Sequence, residues 1–188
     1  MNVYENKTFY QKDVGDFFSH GKFSDCEIIH CHFVETDFRS TRFLGCSFKH
    51  CQLQMVKMDQ CHFQESIFEE VKIIGGEFYK CSKTLFSIQC KNSILLSCNF
   101  SHLSMKKTDF SGSKLQECFF NETSLSSSNF QKTDLTGTKF HHSDLSKSDF
   151  RGAKNYAIDP KVNNLKKARF HLPEALSFLY FFGIDISD

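Results

Sequence analysis

Cysteine and histidine are the side chains here with the widest chemical reach, because thiolate and imidazole bind metals, attack electrophiles and carry protons. The chain has nine of each. His30, His32 and His62 adjoin Cys31 and Cys61, the residue types from which a zinc site is built, yet no Cys-x-x-Cys pair occurs. The cysteines instead follow a spacing of five: Cys26, Cys31, Cys46, Cys51, Cys61 and Cys81, then Cys98 and Cys118, with Cys90 in a different phase. His141-His142 is the one adjacent histidine pair, and there is neither a glycine-rich phosphate loop nor a nucleophile elbow. These residues predict no catalytic site, no metal and no cofactor. An odd cysteine count without a secretory leader predicts free thiols in a cytoplasmic protein, and no run approaches the ~18 apolar residues of a membrane span.

What positions the cysteines is a period. From Phe23 an apolar residue recurs every fifth position through Phe33, Phe38, Phe48, Phe63 and Phe78. After a slip of two residues the rule restarts at Leu85 and runs through Cys90, Leu95, Phe110, Phe120, Phe130, Phe140 and Phe150. Neither the helical period of 3.6 nor the strand period of 2 produces this. Two residues before each central position the chain is small, as at Cys46, Thr108, Ser128 and Thr138, and the residue between is often Asp or Asn, as in Thr36-Asp37-Phe38 and Ser148-Asp149-Phe150. A small and a large inward residue therefore alternate with a solvated one. Phe38, Phe48, Phe63, Phe110, Phe120, Phe130, Phe140 and Phe150 are the expected structural core.

These quintets resemble the pentapeptide-repeat family. The resemblance implies an all-β solenoid, a right-handed quadrilateral β-helix in which four quintets make one square coil, over residues 21–170, after an N-terminal cap at 1–20. From Leu95 to Phe150 the central residue alternates between Leu or Met and Phe, so two opposite walls of a four-sided coil should carry Phe ladders. Near residues 79–84 the register slips, and Lys83, Ile88 and Leu103 stand in small-residue slots, which predicts a bulge or short loop. If wall order survives the slip, Val34, Met55, Ile74, Ile94 and Leu96 form an outward apolar stripe on one wall, a candidate partner surface.

Residues 171–188 read as a cap. Pro173 at a first helical turn, the early acid Glu174 and the closing Gly183 predict a short helix of about ten residues. Its apolar arc exceeds what one tube end covers, so Phe178 and Phe181 are expected at a homodimer interface. The ending Phe182-Gly183-Ile184-Asp185-Ile186 resembles that of the tail-to-tail dimers of the Qnr-type quinolone-resistance and microcin B immunity proteins, which implies that Phe182, Ile184 and Ile186 join the same interface. That resemblance implies a non-enzymatic protein that protects DNA gyrase or topoisomerase IV from quinolones or a peptide toxin. The proposed family mechanism, mimicry of DNA by an acidic rod, meets a neutral chain here: formal net charge +1, with −3 over residues 1–80 and +4 over 81–188. An interaction scaffold for an unrelated partner, without mimicry, is the alternative. With neither an acidic nor a basic stripe, direct nucleic-acid binding is not expected.

Overall fold

The computed structural model describes residues 2–11 and 18–184. Ile186 and part of the expected N-terminal cap lie outside them. The chain winds into a right-handed, four-sided parallel β-solenoid of about seven turns, closed by a short C-terminal helix. Strands of two to four residues stack into walls. Wall 1 carries Val3–Glu5, Lys22–Ser24, Arg42–Leu44 and His62–Gln64; wall 2 carries Thr8–Phe9, Glu27–Ile29, Ser47–Lys49, Ser66–Glu69 and Ile88–Lys91. Wall 3 carries His32–Val34, Gln52–Gln54, Lys72–Ile74, Ile94–Leu96 and Lys114–Gln116. Wall 4 includes Phe119–Asn121 and Lys139–His141. Each strand pairs with the one a coil later, as Phe23↔Phe43↔Phe63 and Phe33↔Leu53↔Ile73.

The interior is filled by the central residues. All eight of the expected core phenylalanines are buried. Aromatic rings stack in continuous ladders: Tyr4–Phe23–Phe43–Phe63 at 5.0, 5.2 and 5.3 Å, Phe78–Phe100–Phe120–Phe140 at 4.7, 5.0 and 5.1 Å, and Phe110–Phe130–Phe150–Phe170 at 5.2, 4.7 and 5.0 Å. The coil rise of ~4.8 Å is close to the spacing of stacked rings, so one repeat satisfies both the backbone ladder and the aromatic column. Where two ladders meet, rings contact edge to face, as Phe130 and Phe140 do at 6.0 Å and 88°.

The small position has a chemical role beyond size. The carbonyl of a central residue receives a side-chain hydrogen bond from the small residue 23 positions on. Thr123 Oγ1 donates to Phe100 O, Thr133 Oγ1 to Phe110 O, Thr138 Oγ1 to Leu115 O and Ser148 Oγ to Leu125 O, at 2.7–3.1 Å. Cys46, Cys51 and Cys118 use their thiols in the same way at 3.3–3.5 Å. Ser, Thr and Cys are thus the small residues that also donate, and they satisfy a buried acceptor that would otherwise be expensive to leave alone. Outside, Asp and Asn before the central residue accept the backbone N–H two residues on, as Asp37 Oδ1 does from Arg39 and Asn129 Oδ1 from Gln131.

At the slip, partners are 22 residues apart rather than 20, as Phe68↔Cys90 and Ile73↔Leu95. A 3-10 turn at Phe78–Lys80 and an irregular segment take up the extra length. The expectation that Leu85 points inward is corrected: Leu85 is 68% exposed in a left-handed corner (φ 55°), and Phe86 is buried instead. Ile88 and Leu103 are buried despite their size. Ile88 fits because the central residue beside it is Cys90, which exchanges the usual large and small positions.

The expected ten-residue helix is also corrected. A 3-10 turn at Glu174–Leu176 leads into a single α-turn at Ser177–Tyr180. So short a helix lacks the internal bonds to stand alone and is held by packing on the tube end.

Candidate functional site

Inside the tube the chemistry is occupied by structure. All nine cysteines are buried free thiols. Burial pushes the Cys46 thiol up to about 12 and raises Cys90 well above the ordinary thiol range, so both stay protonated. Cys51 is held lower, because it accepts hydrogen bonds from the Cys31 thiol and backbone N–H. Among the described residues no group of three metal-ligating side chains could hold an ion. His141 and His142 are exposed, their rings 4.0 Å apart. His30, at a corner of wall 2, stacks on His50 at 4.9 Å.

The outer surfaces differ from wall to wall. Wall 3 gathers all five residues of the expected stripe. Val34 is 61% exposed, Met55 56% and Ile94 38%, while Ile74 and Leu96 are half-buried. Register explains their proximity: Val34, Gln54, Ile74 and Leu96 are consecutive partners in one column, and Ile94 lies in the column two residues away. Gly75 matters here. A Cβ at that left-handed corner (φ 64°) would stand 2.5 Å from the Met55 Sδ, so only glycine lets the Met55 side chain lie flat along the wall. No ion pair joins strand residues of this wall among the described residues; Lys49 pairs with Glu27 at 2.7 Å across wall 2, and His50 approaches Glu70 at 3.2 Å on the corner between walls 2 and 3.

On wall 4, Arg39 grips Asp37 with two guanidinium nitrogens and holds its carboxyl at about 2. Arg151 grips Asp149 in the same way on wall 2. Such pairs cancel acidic charge locally. Beside the irregular centre, an open cleft of about 560 Å³ is lined by Asp59, Gln60 and residues 79–84.

At the C-terminal end, one residue expected on the dimer face is placed elsewhere. Phe178 turns toward the tube, with its ring 4.7 Å from Phe170 and 5.8 Å from Tyr156, because the open end of the Phe150–Phe170 ladder needs a cover. Phe181 is half-buried; Phe182 and Ile184 are 56% and 49% exposed, with Lys161 over the Phe182 ring at 5.1 Å. Leu172, Leu176 and Tyr180, which the sequence reading did not assign to this face, are exposed at 64%, 43% and 80%. The phase of Leu176 and Tyr180 was readable only with the true boundaries of these two short turns.

A family model described as a pentapeptide repeat region matches residues 21–89, and one described as pentapeptide repeats (8 copies) matches 85–121, 104–141 and 118–154. No curated protein sequence matches the chain. Among solved structures, the full-length plasmid-mediated fluoroquinolone resistance protein QnrB1 is 17% identical, covering 97% of this chain and 100% of its own at a TM-score of 0.46. A trypsin-treated QnrB1 variant is 18% identical, covering 99% and 98% at 0.47. HetL, a pentapeptide repeat protein involved in heterocyst differentiation regulation from the cyanobacterium Nostoc, is 13% identical, covering 89% and 82% at 0.26. With repeats matched from residue 21 to 154, and with stacked coils whose inward phenylalanines and small donors obey one rule, this chain belongs to the pentapeptide-repeat family.

Proposed function

We propose that this chain is a non-enzymatic, protein-binding repeat protein that engages its partner through wall 3. The observation that carries this reading is the outward group of Val34, Ile74 and Leu96, one column interrupted by Gln54, with Met55 and Ile94 beside it, on strands that carry no ion pair among the described residues. Exposed apolar side chains gathered on one face of a rigid rod lose unfavourable hydration when a protein surface covers them. The sequence resemblance to the Qnr-type and microcin B immunity proteins supports one partner class: a type II topoisomerase, DNA gyrase or topoisomerase IV, protected from a quinolone or a peptide toxin. Shape and apolar contact, rather than an acidic field, would make that contact, because the rod is neutral overall while duplex DNA carries a charge every ~1.7 Å. That same neutrality favours a second reading, an interaction scaffold for a partner unrelated to DNA enzymes.

Two further features complete the proposal. The exposed apolar end formed by Leu172, Leu176, Tyr180, Phe182 and Ile184, with Phe181, is assigned to a tail-to-tail homodimer. Nine free buried thiols fit a reducing cytoplasm, and among the described residues no helix is long and apolar enough to cross a membrane. The test is gyrase supercoiling with and without ciprofloxacin, titrated with this protein. Restored supercoiling over a window of protein concentration supports protection. No effect on either gyrase or topoisomerase IV contradicts the topoisomerase assignment and leaves the scaffold.

A further inference from the structure

We propose that two copies of this chain pair side by side and antiparallel through wall 2, by a charge pattern that is complementary only to itself reversed. The wall has nine stacked levels, whose central residues are Phe9, Ile28, Phe48, Phe68, Cys90, Phe110, Phe130, Phe150 and Phe170. Cys90 stands at the middle level. On the strands and corners of the four levels before it lie five acidic residues, Asp25, Glu27, Glu65, Glu69 and Glu70, against Lys7 and Lys49, a net charge of −3. On the four levels after it lie six basic residues, Lys107, Lys132, Lys147, Arg151, Lys167 and Arg169, against Asp109 and Asp149, a net of +4. Whole-wall totals conceal this polarity, because the two halves nearly cancel.

The detail lies in the corner that leads into wall 2. In level order it carries Asn6, Asp25, Gly45 and Glu65 before the centre, then Lys107, Ser127, Lys147 and Lys167 after it. A two-fold axis in the plane of the contact, crossing the rod at the Cys90 level, brings level four against level six and level two against level eight. It also keeps this corner on the same side in both copies. Glu65 then meets Lys107, and Asp25 meets Lys147, with the short residues Gly45 and Ser127 facing each other between them. Both acid-to-acid and base-to-base steps span two coils, roughly 9.6 Å. Asp25, Glu65, Lys107 and Lys147 are all exposed, and none has an ion-pair partner within the chain among the described residues. Asp25 leans along the column toward the next level, its carboxylate filling the space above Gly45.

The same operation sets Lys91 against its own copy at the middle level and Glu27 against Asp149, but each of these is already paired within its chain, to Asp109, Lys49 and Arg151 in turn, so the unpaired corner charges decide the fit. A closed two-fold pairing thus sets the acidic half on the basic half in both copies, which a polyanion cannot do, since the acidic half repels it. The wall measures about 38 Å by about 10 Å, so some 400 Å² per copy is covered, about half of a standard stable interface. The pairing is therefore weak and strongly screened by salt. It leaves wall 3 and the C-terminal end free.

Sedimentation velocity on the full chain at about 20 mM and about 300 mM salt tests this. Asp25→Lys/Glu65→Lys makes the corner wholly basic, and Lys107→Glu/Lys147→Glu makes it wholly acidic. Each change is on the exposed surface, and circular dichroism checks that the coils persist. Wild-type protein should show an association at low salt that high salt removes, and each double variant alone should lose it. An equimolar mixture of the two variants should recover it, with a dissociation constant at least tenfold below that of either variant alone. An apolar tail-to-tail contact is not weakened by salt and is unaffected by these substitutions, so its presence or absence is read separately. The proposal is overturned by association that ignores salt, or by a mixture no tighter than its components. It is also overturned if low-salt wild type retains a short DNA duplex without self-associating, which would assign the basic half to nucleic acid.

Discussion

Replacing Thr138 by Val keeps the side-chain volume and removes only the hydroxyl. In the folded chain that hydroxyl donates to the Leu115 carbonyl at 2.7 Å and accepts from the Cys118 backbone N–H at 3.2 Å, and the site is buried. Valine leaves one acceptor and one donor inside the tube with no water to replace the partner. A buried polar group stripped of its bond costs about 1–3 kcal/mol, so the pair should cost about 2–5 kcal/mol. Valine is tolerated in other small slots, Val56 and Val71, so shape alone does not forbid it. Urea-induced unfolding followed by circular dichroism measures the loss as a shift of midpoint at constant slope. Thr133→Val is an internal comparison, because the Thr133 hydroxyl donates to Phe110 O at 3.0 Å and receives no backbone N–H among the described residues. Its loss should be about 1–3 kcal/mol. If Thr138→Val stays within about 0.5 kcal/mol of wild type, the small positions are chosen for size alone and the hydrogen-bond ladder is not what selects them.

Phe130→Ala removes a ring stacked between Phe110 and Phe150 and should cost about 3–5 kcal/mol, while exposed Lys132→Ala stays within about 0.5 kcal/mol; equal shifts in unfolding midpoint would contradict the register. Cys46 and Cys118 should resist thiol reagents in the native protein, and nine thiols should react after denaturation without reductant. Because the folded Cys46 thiol is raised to about 12, its contribution to stability is full below the ordinary thiol pKa and is lost as pH climbs from about 9 toward 12. Unfolding midpoints flat across that interval would refute the burial argument. Placing Asp at Phe181 and Phe182 should convert a wild-type dimer to monomer in sedimentation at physiological salt while the β-type spectrum persists; a dimer that survives would move the interface away from the tail.

Period and core were legible because burial repeats on every wall: each central residue from Phe23 to Phe78 and from Cys90 to Phe150 lies inside. The Leu and Phe alternation likewise announced the ring ladders. The donor role of the small positions was not legible, since Ser, Thr and Cys are both small and hydrogen-bonding, and sequence does not separate the two properties. Leu85 and Phe86 are adjacent and both apolar, so period alone could not say which turns inward once the coil lengthens to 22 residues. The apolar stripe of wall 3 was readable because it needed only wall order. The polarity of wall 2 needed level order as well, which depends on how the slip is absorbed. At the C-terminus the apolar arc was visible, but the end of the Phe150–Phe170 ladder decides that Phe178 turns inward.

Lysine at Val34, Met55 and Ile94 together tests the claim that wall 3 is the partner surface. All three side chains are exposed, so the coils should keep their unfolding midpoint to within about 1 kcal/mol. In the ciprofloxacin supercoiling assay, wild-type protein should restore gyrase activity, and the triple variant, equally folded, should require at least tenfold more protein or fail. Protection by the variant at wild-type concentrations would remove wall 3 from the interface.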